Sequence, residues 1–415
     1  MTRQRYQRVL RILDGISAAA LVVWMGWALL HGNVFGKTPW PDSIVDYKII
    51  YEASREVVQT RTYPANYPYP PSAAVLQWLP STFSFPVSAA IWMTLTATAA
   101  VTCWMILVFL LGLHRHSGGM VLVLLAYASS EYFWLWDLSK QNSNVLFLAF
   151  ALAGVAALRY ERAVVAGFFI ALSFSFKLFS VLLFPYLLWK RRWRTLGWAL
   201  AFAVFFWILL PTMVVGPVGT RQIYGAWWPR FHTAAGSGSD KSHPILISLD
   251  RSIDYLTGGN AASIALSVAA ARVIWIGVLV AAIALRRHAR DPDDSFGLLA
   301  DAGILILAPI ACSPYLEPYH PVAFAIPSLL LAVAASDRQN STHLRWCAAA
   351  LFLLALPSLK FFQPWNIRGL ACNLKLLVGA GGAALIAWRR CCPGDSMGPT
   401  QILPSAVNSQ PRHSS

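Results

Sequence analysis

The sequence predicts an all-α polytopic membrane protein of about twelve transmembrane helices, with interfacial helices in its outer loops. Three observations carry that reading. Hydrophobic residues make up 57% of the 415 positions and charged residues only 12%, about half the charge of an ordinary soluble chain. The apolar residues come in long runs rather than at amphipathic spacing. The bases, which give a formal charge of +15, gather beside the ends of those runs.

That last pattern assigns topology. Arg3, Arg5, Arg8 and Arg11, then Arg159 and Arg162, Lys190, Arg191, Arg192 and Arg194, Arg286, Arg287 and Arg290, and Arg389 and Arg390 occupy short loops or tails. Such loops mark the cytoplasmic side. The excess positive charge is thereby explained without a nucleic-acid partner, and both termini are expected in the cytoplasm, with the chain in the plasma (inner) membrane.

Taken in order, residues 1–12 form a basic tail and Leu13 to Leu30 a retained anchor, since no small-x-small cleavage site follows it. An outer loop, 31–86, holds a short amphipathic segment from Tyr47 to Gln59, a Tyr- and Pro-rich turn from Tyr63 to Pro71, and an apolar piece too short to cross. Val87 to Leu113 returns inward. Met120 to Trp136 goes out, and a polar turn from Asp137 to Asn144 sends Val145 to Leu158 back.

Basic clusters flank the next apolar run on both sides, so its ends share a side and the run is expected to be a hairpin turning at Lys177. Each arm of about a dozen residues spans under about 20 Å, against a hydrocarbon core near 30 Å. Lys177 is therefore expected inside the bundle. Leu196 to Val215 leads to a second outer loop, 216–260, which contains Trp227-Trp228-Pro229-Arg230 and a predicted interfacial helix opened by His243-Pro244. Ala265 to Leu285 runs inward, with Arg272 either snorkelling or facing the bundle. Phe296 to Ala311 runs out, Val322 to Ala335 in, Trp346 to Leu359 out and Leu374 to Trp388 in. Residues 1–392 read as one membrane-embedded domain and 393–415 as a disordered cytoplasmic tail. Of the six cysteines, Cys312 and Cys372 are near enough to the outer ends of helices to pair, but the spacing is not that of a disulfide framework.

The chemistry is sought in the polar outer loops. Asp46 reads either as a cap of the helix beginning near Tyr47 or as a general base. Lys177 costs about 2.5–3.5 kcal/mol to insert, so it is expected to face a partner or an anionic substrate. His320, in an outer turn, and Arg230, beside two tryptophans, are further cations with ordinary structural readings as well. Glu52, Glu131, Asp137 and Glu317 are outer carboxylates that spacing does not rank. No metal-ligand spacing and no Gly-rich phosphate loop is visible.

The arrangement resembles the GT-C membrane glycosyltransferases and, among them, glycosyltransferase family 87. Four features over roughly residues 13–335 carry the likeness. They are Asp46-Tyr47 with Tyr51 and Tyr69-Pro70-Pro71, the Gln141-Asn142-Ser143-Asn144 turn, Lys177 ahead of the basic loop, and Ser313-Pro314 with His320. Lys140 stands where a Gly is usual, Tyr319-His320 where a His pair is usual, and Ser242-His243-Pro244 where an Asn-containing motif is usual. The resemblance implies a GT-C-like bundle and transfer of a sugar, mannose, another hexose or a pentose, from a polyprenyl-phosphate donor. The acceptor would be a lipid or glycan on the outer, periplasmic face, and the transfer an inverting single displacement.

Under that reading Asp46 is the base and Lys177, His320 and Arg230 are candidates for the donor phosphate. Tyr47, Tyr51, Tyr69, Gln141 and Asn144 are candidates for substrate contact, with the Tyr63–Trp78 segment guiding the lipid and the acceptor. No cofactor, nucleotide-sugar site or essential metal is expected. The competing class is a transporter or flippase of lipid-linked glycan. Transporters commonly show internal repeats and midplane sites on broken helices, whereas here no repeat is evident and the polar candidates collect toward one face.

Overall fold

The computed structural model describes residues 3–33, 45–64, 67, 69–236, 261–285, 294–313, 316–337, 340–359 and 365–391. Among these residues every regular element is helical. Five helices are long and apolar enough to cross a membrane, Gln7–Leu30, Phe85–Leu110, Gly119–Lys140, Trp193–Phe231 and Ile367–Arg390, and seven shorter apolar helices accompany them. With this length and apolarity the helices satisfy their own backbone hydrogen bonds, as hydrocarbon requires.

The chain begins with α1 (Arg3–Asn33), which runs beside α6 (Gly119–Lys140). Asp14 fixes the register, its two carboxylate oxygens accepting the Gly118 and Met120 N–H groups at 2.7 and 2.9 Å. A carboxylate there also meets the positive end of the α6 dipole. Further toward the C-terminal end of both helices, Trp24 meets the ring of Tyr127 at 5.2 Å, so α1 and α6 run parallel.

Between them come α2 (Val45–Thr60), the short α3 (Pro71–Leu76) and α4 (Trp78–Ser81), and α5 (Phe85–Leu110). Helix α2 is amphipathic: Tyr47, Ile50, Tyr51, Ser54 and Val57 are buried, while Lys48, Glu52, Arg55 and Glu56 are exposed. That spacing is one face of a helix. Tyr47 stacks on Trp92 at 4.9 Å and shares a hydrogen bond with Ser88, which seats α2 on α5.

Helix α6 continues to Lys140, four residues past the predicted end, and α7 (Asn144–Arg159) starts directly after it. The polar turn is therefore only 141–143, with Asp137 inside the helix rather than in the loop. Gln141 closes α6 in the left-handed region at φ 55, and the Trp92 indole donates to its carbonyl at 2.9 Å.

Helix α8 (Ala163–Phe176) stops at Lys177, whose backbone is extended at φ −149, ψ 139. A 3-10 turn (Leu178–Ser180) and α9 (Leu183–Trp189) follow. Arg192, after α9, pairs with Glu161, before α8, at 3.9 Å. The run thus leaves one level and returns to it, with Lys177 at its apex. Helix α10 (Trp193–Val204) lies along α8, where a Cβ on Gly167 would sit 2.7 Å from the Ala199 backbone nitrogen. Only a residue without a side chain permits that approach.

The structure departs from the predicted second outer loop. After a π-helical turn (Phe205–Leu209), α11 (Leu210–Gly236) carries the chain through Trp227-Trp228-Pro229-Arg230, interrupted only at Gly216 (φ 77). Gly216-Pro217 reads as a loop in sequence. Proline is tolerated in a first helical turn, so a helix resumes at once. The helix predicted after His243 lies outside the described residues.

The remaining elements are α12 (Ala261–Leu285), α13 (Ser295–Ala311), a 3-10 turn (His320–Phe324), α14 (Ala325–Ser336), α15 (Thr342–Ala355) and α16 (Trp365–Cys391). Asp294 caps α13 by accepting the Gly297 N–H at 2.7 Å, and Arg272 on α12 is exposed, away from the bundle. Cys312 and Cys372 are free thiols, the first half-buried and the second buried.

Candidate active site

Four chain segments distant in sequence bring their polar ends together: the first turn of α2, the Tyr-rich turn, the α6–α7 junction and the apex at Lys177. Asp46 lies in the first turn of α2, where the helix dipole favours a carboxylate. Its Oδ2 also reaches out of the helix and accepts Asn142 Nδ2 at 2.8 Å. A carboxylate only accepts, so this bond orients the Asn142 amide with Oδ1 pointing the other way.

That oxygen is crowded with donors. Asn142 Oδ1 accepts from Lys177 Nζ at 2.9 Å and from the Tyr69 hydroxyl at 3.0 Å. The Ser143 N–H donates to it at 2.7 Å and Asn144 Nδ2 at 3.2 Å. One amide oxygen has two lone pairs, so the four donors share an acceptor too small for them.

Lys177 also donates to Asn144 Oδ1 at 2.6 Å, and its ammonium lies 4.6 Å from the centre of the Tyr69 ring, a cation–π distance. Asn144 is held from behind by Asp137, which accepts Asn144 Nδ2 at 2.7 Å and the Val145 N–H at 3.1 Å. Asp137, Asn142, Asn144 and Lys177 are all buried. Asp46 and Lys177 each bond to the same amide group, so their charged atoms are within about 8 Å of each other.

Glu317 completes the electrostatics. Burial raises its carboxyl from the usual 4.5 to about 7, with the Asp46 charge adding to the shift and Lys177 and Lys140 opposing it. Its backbone N–H donates to His320 Nδ1 at 3.2 Å. The His320 ring packs against Phe179 at 5.4 Å, and Phe179 lies 6.0 Å from the Lys177 ammonium. His320 thus adjoins the Lys177 site through an aromatic ring.

The other candidates sit elsewhere or do different work. Arg230 donates to the carbonyls of Tyr63 and Pro64 at 2.6 and 2.7 Å and lies over the Tyr63 ring, so it ties the Tyr-rich turn to α11. The Tyr63 hydroxyl in turn donates to the Tyr69 carbonyl, which links that clamp to Tyr69. Tyr47, whose hydroxyl burial pushes up to about 12, and Tyr51, which donates to the Phe83 carbonyl at 3.0 Å and accepts from Arg55 at 2.6 Å, seat α2 on its neighbours. The Gln141 side chain turns back to the Leu138 carbonyl at 2.6 Å.

Two residues at the centre were not singled out from sequence. Asn142 lay between the chosen Gln141 and Asn144, and Asp137 was one of several unranked carboxylates. The signal in the sequence is a polar run, Gln141 to Asn144, directly after an apolar stretch; the structure buries all four residues.

An all-helical membrane bundle with a carboxylate and a buried ammonium on one amide is the setting expected of a membrane group-transfer enzyme. The glycosyltransferase family 87 profile matches residues 67–314. The chain belongs to that family and is a multi-pass membrane glycosyltransferase. It is also similar to the crystal structure of ArnT from Cupriavidus metallidurans bound to undecaprenyl phosphate. The identity is 16%, over 92% of this chain and 77% of that one, and the TM-score of 0.36 means the two helix arrangements superpose only loosely. No curated protein matches the chain.

Proposed function

We propose that the chain transfers a sugar from a polyprenyl-phosphate donor to a hydroxyl of a lipid or glycan acceptor, with the site facing the outer side of the membrane. The observation that carries this reading is the Asn142 amide, bonded to Asp46 on one side and to Lys177 on the other. It sets a base and a cation one monosaccharide apart.

Asp46 accepts the proton of the acceptor hydroxyl as its oxygen attacks the anomeric carbon. The bond from that carbon to the phosphate oxygen breaks, and its electron pair stays on the phosphate. Lys177 and the Tyr69 hydroxyl, whose shared acceptor is Asn142 Oδ1, would turn to the departing phosphate. Fixed donors in a water-poor site stabilise that charge strongly. Attack opposite the leaving group inverts the anomeric centre. Mannose or another hexose is the sugar proposed.

The test is incubation of the purified protein in lipid nanodiscs with radiolabelled polyprenyl-phosphate-mannose and a panel of membrane lipids. Label in a new glycolipid supports transfer. Donor that changes leaflets in vesicles with no new glycolipid would instead favour a flippase and sink the proposal.

Two further results are expected of the same assay. Asn142→Ala removes the amide that orients both charges. A hydrogen bond to a charged group contributes about 1.5–3 kcal/mol, so turnover per folded molecule should fall about 10- to 100-fold. Gln141→Ala, which loses only a bond to its own helix, should cost less than about threefold. Equal losses from the two would count against the assignment of Asn142.

Glu317 should make donor affinity depend on pH. Its carboxyl is neutral below about 7 and ionised above, where it repels a phosphate drawn to Lys177. The KM for donor should therefore rise as pH passes 7, and this dependence should vanish in Glu317→Gln. The sign for stability follows the same shift. The folded protein holds this proton more tightly than the unfolded chain, so Glu317's contribution is greatest below its usual value of 4.5 and declines until about 7.

A further inference from the structure

The Tyr-rich turn before α3 has little means of holding itself. Proline stands at 64, 68, 70 and 71, and a proline has no N–H to donate. Among the described residues of 63–69, the backbone supplies a long bond from the Tyr67 N–H to the Pro64 carbonyl at 3.4 Å. Side chains gather the carbonyls instead. Arg230 Nη1 donates to the Tyr63 and Pro64 carbonyls at 2.6 and 2.7 Å. The Tyr63 hydroxyl donates to the Tyr67 carbonyl at 3.0 Å and also to the Tyr69 carbonyl. The guanidinium lies 5.6 Å from the centre of the Tyr63 ring, so a cation–π contact joins the two tiers of this clamp.

The clamp is anchored outside the turn. Trp227, about one helical turn before Arg230 on α11, is buried and meets the rings of Trp207 and Tyr224 at 5.9 and 6.1 Å. Helix α11 packs on α2 and α3. At the far end of the turn, Ser72 donates to the Ser175 carbonyl at 3.1 Å, just ahead of Lys177. Tyr69 lies between these two fixed points. Its hydroxyl donates to Asn142 Oδ1 at 3.0 Å and stands 3.5 Å from the Lys177 ammonium. Arg230 and the Lys177 site are thus joined by an unbroken chain of contacts that runs through Tyr63 and Tyr69.

We propose that Arg230 is a positioning residue for sugar transfer: through Tyr63 it fixes the place of the Tyr69 hydroxyl beside Lys177, and it does not touch the donor phosphate. The proposal rests on the transfer reading of the site. A displacement of about 1 Å in the Tyr69 backbone takes its hydroxyl out of productive hydrogen-bond geometry with a phosphate oxygen. Lys177 is spared, because Asn142 and Asn144, which hold it at 2.9 and 2.6 Å, belong to the α6–α7 junction. Loss of the clamp therefore removes one phosphate donor and leaves the other.

The test is a double-mutant cycle on the full-length protein in nanodiscs, with polyprenyl-phosphate-mannose and the acceptor lipid that the wild type labels, scored per folded molecule. Arg230→Met, Tyr63→Phe and Tyr69→Phe should each raise the KM for donor and lower kcat/KM about tenfold, the effect of one hydrogen bond to a charged group. The KM for acceptor should hold. Arg230→Met combined with Tyr69→Phe should stay within about twofold of Tyr69→Phe alone, because both remove the same contact. A lesion of the fold alone would leave the donor KM where it was, and a guanidinium on the phosphate itself would multiply the two losses to about 100-fold. Either of those results, or full activity in Tyr69→Phe, would overturn the proposal and leave the transfer reading standing. A wild type that forms no glycolipid would end both.

Discussion

Asp46→Asn is expected to lower sugar transfer by about 10²–10⁴-fold, the usual contribution of a positioned general base, while the protein folds and expresses as before. The substitution keeps the shape of the side chain and an oxygen able to accept the Asn142 N–H that Asp46 now accepts at 2.8 Å. It also keeps the capping capacity of the first turn of α2, since Asn serves helix starts as well as Asp does. What it removes is the negative charge and the basicity. A structural role would survive the change and a catalytic role would not, so the two readings of Asp46 separate in one variant. Transfer at the wild-type rate would refute the assignment. Donor binding should be retained, because Asp46 contacts the acceptor hydroxyl and not the phosphate.

Lys177→Met is expected to behave in the opposite way toward the donor. The ammonium is buried at the apex between α8 and α9 and held by Asn142 and Asn144 at 2.9 and 2.6 Å. Replacing it by an apolar chain of similar length takes a cation away from the buried Asp137 carboxylate, so some stability is lost and transfer is scored per folded molecule. Transfer should fall about 10²–10³-fold, the typical loss when one preorganised donor to developing charge is removed, and donor affinity should fall with it. Lys177→Arg should not restore activity, because the larger planar guanidinium does not fit the position set by two close amides. Full activity in Lys177→Met, measured by glycolipid formation, would show that the leaving phosphate is held elsewhere.

How far these residues were legible in the sequence follows from what each one disturbs. Lys177 stands out because a cation interrupts an apolar run between two basic loops, and the structure breaks the helix at that residue. Asp46 stands out because it opens the amphipathic segment of the first outer loop. The long helices were readable for the same reason: apolar runs of this length have few other solutions. Asn142 leaves no such trace. Its role arises from four segments packing at one point, with Asp46 96 positions away and Lys177 35 positions away. Asp137 is hidden differently, because helix α6 extends beyond its apolar stretch and draws a carboxylate expected in a loop into a buried wall. Gly216-Pro217 misled in the other direction, since a turn-forming pair interrupted a helix without ending it. Arg230 gave the correct chemistry for an anion site, yet its partners here are two backbone carbonyls of the Tyr-rich turn, a choice that only the packing of α11 determines.

The carboxylate of Asp46 and the ammonium of Lys177 are proposed to serve a single donor molecule. The most direct measurement is a cryo-electron microscopy structure of Asp46→Asn, which should bind donor without consuming it, in nanodiscs with polyprenyl-phosphate-mannose. A phosphate oxygen is expected about 2.8 Å from Lys177 Nζ, with the sugar lying between that phosphate and residue 46. A phosphate bound out of reach of Lys177, or a sugar turned away from residue 46, would contradict it.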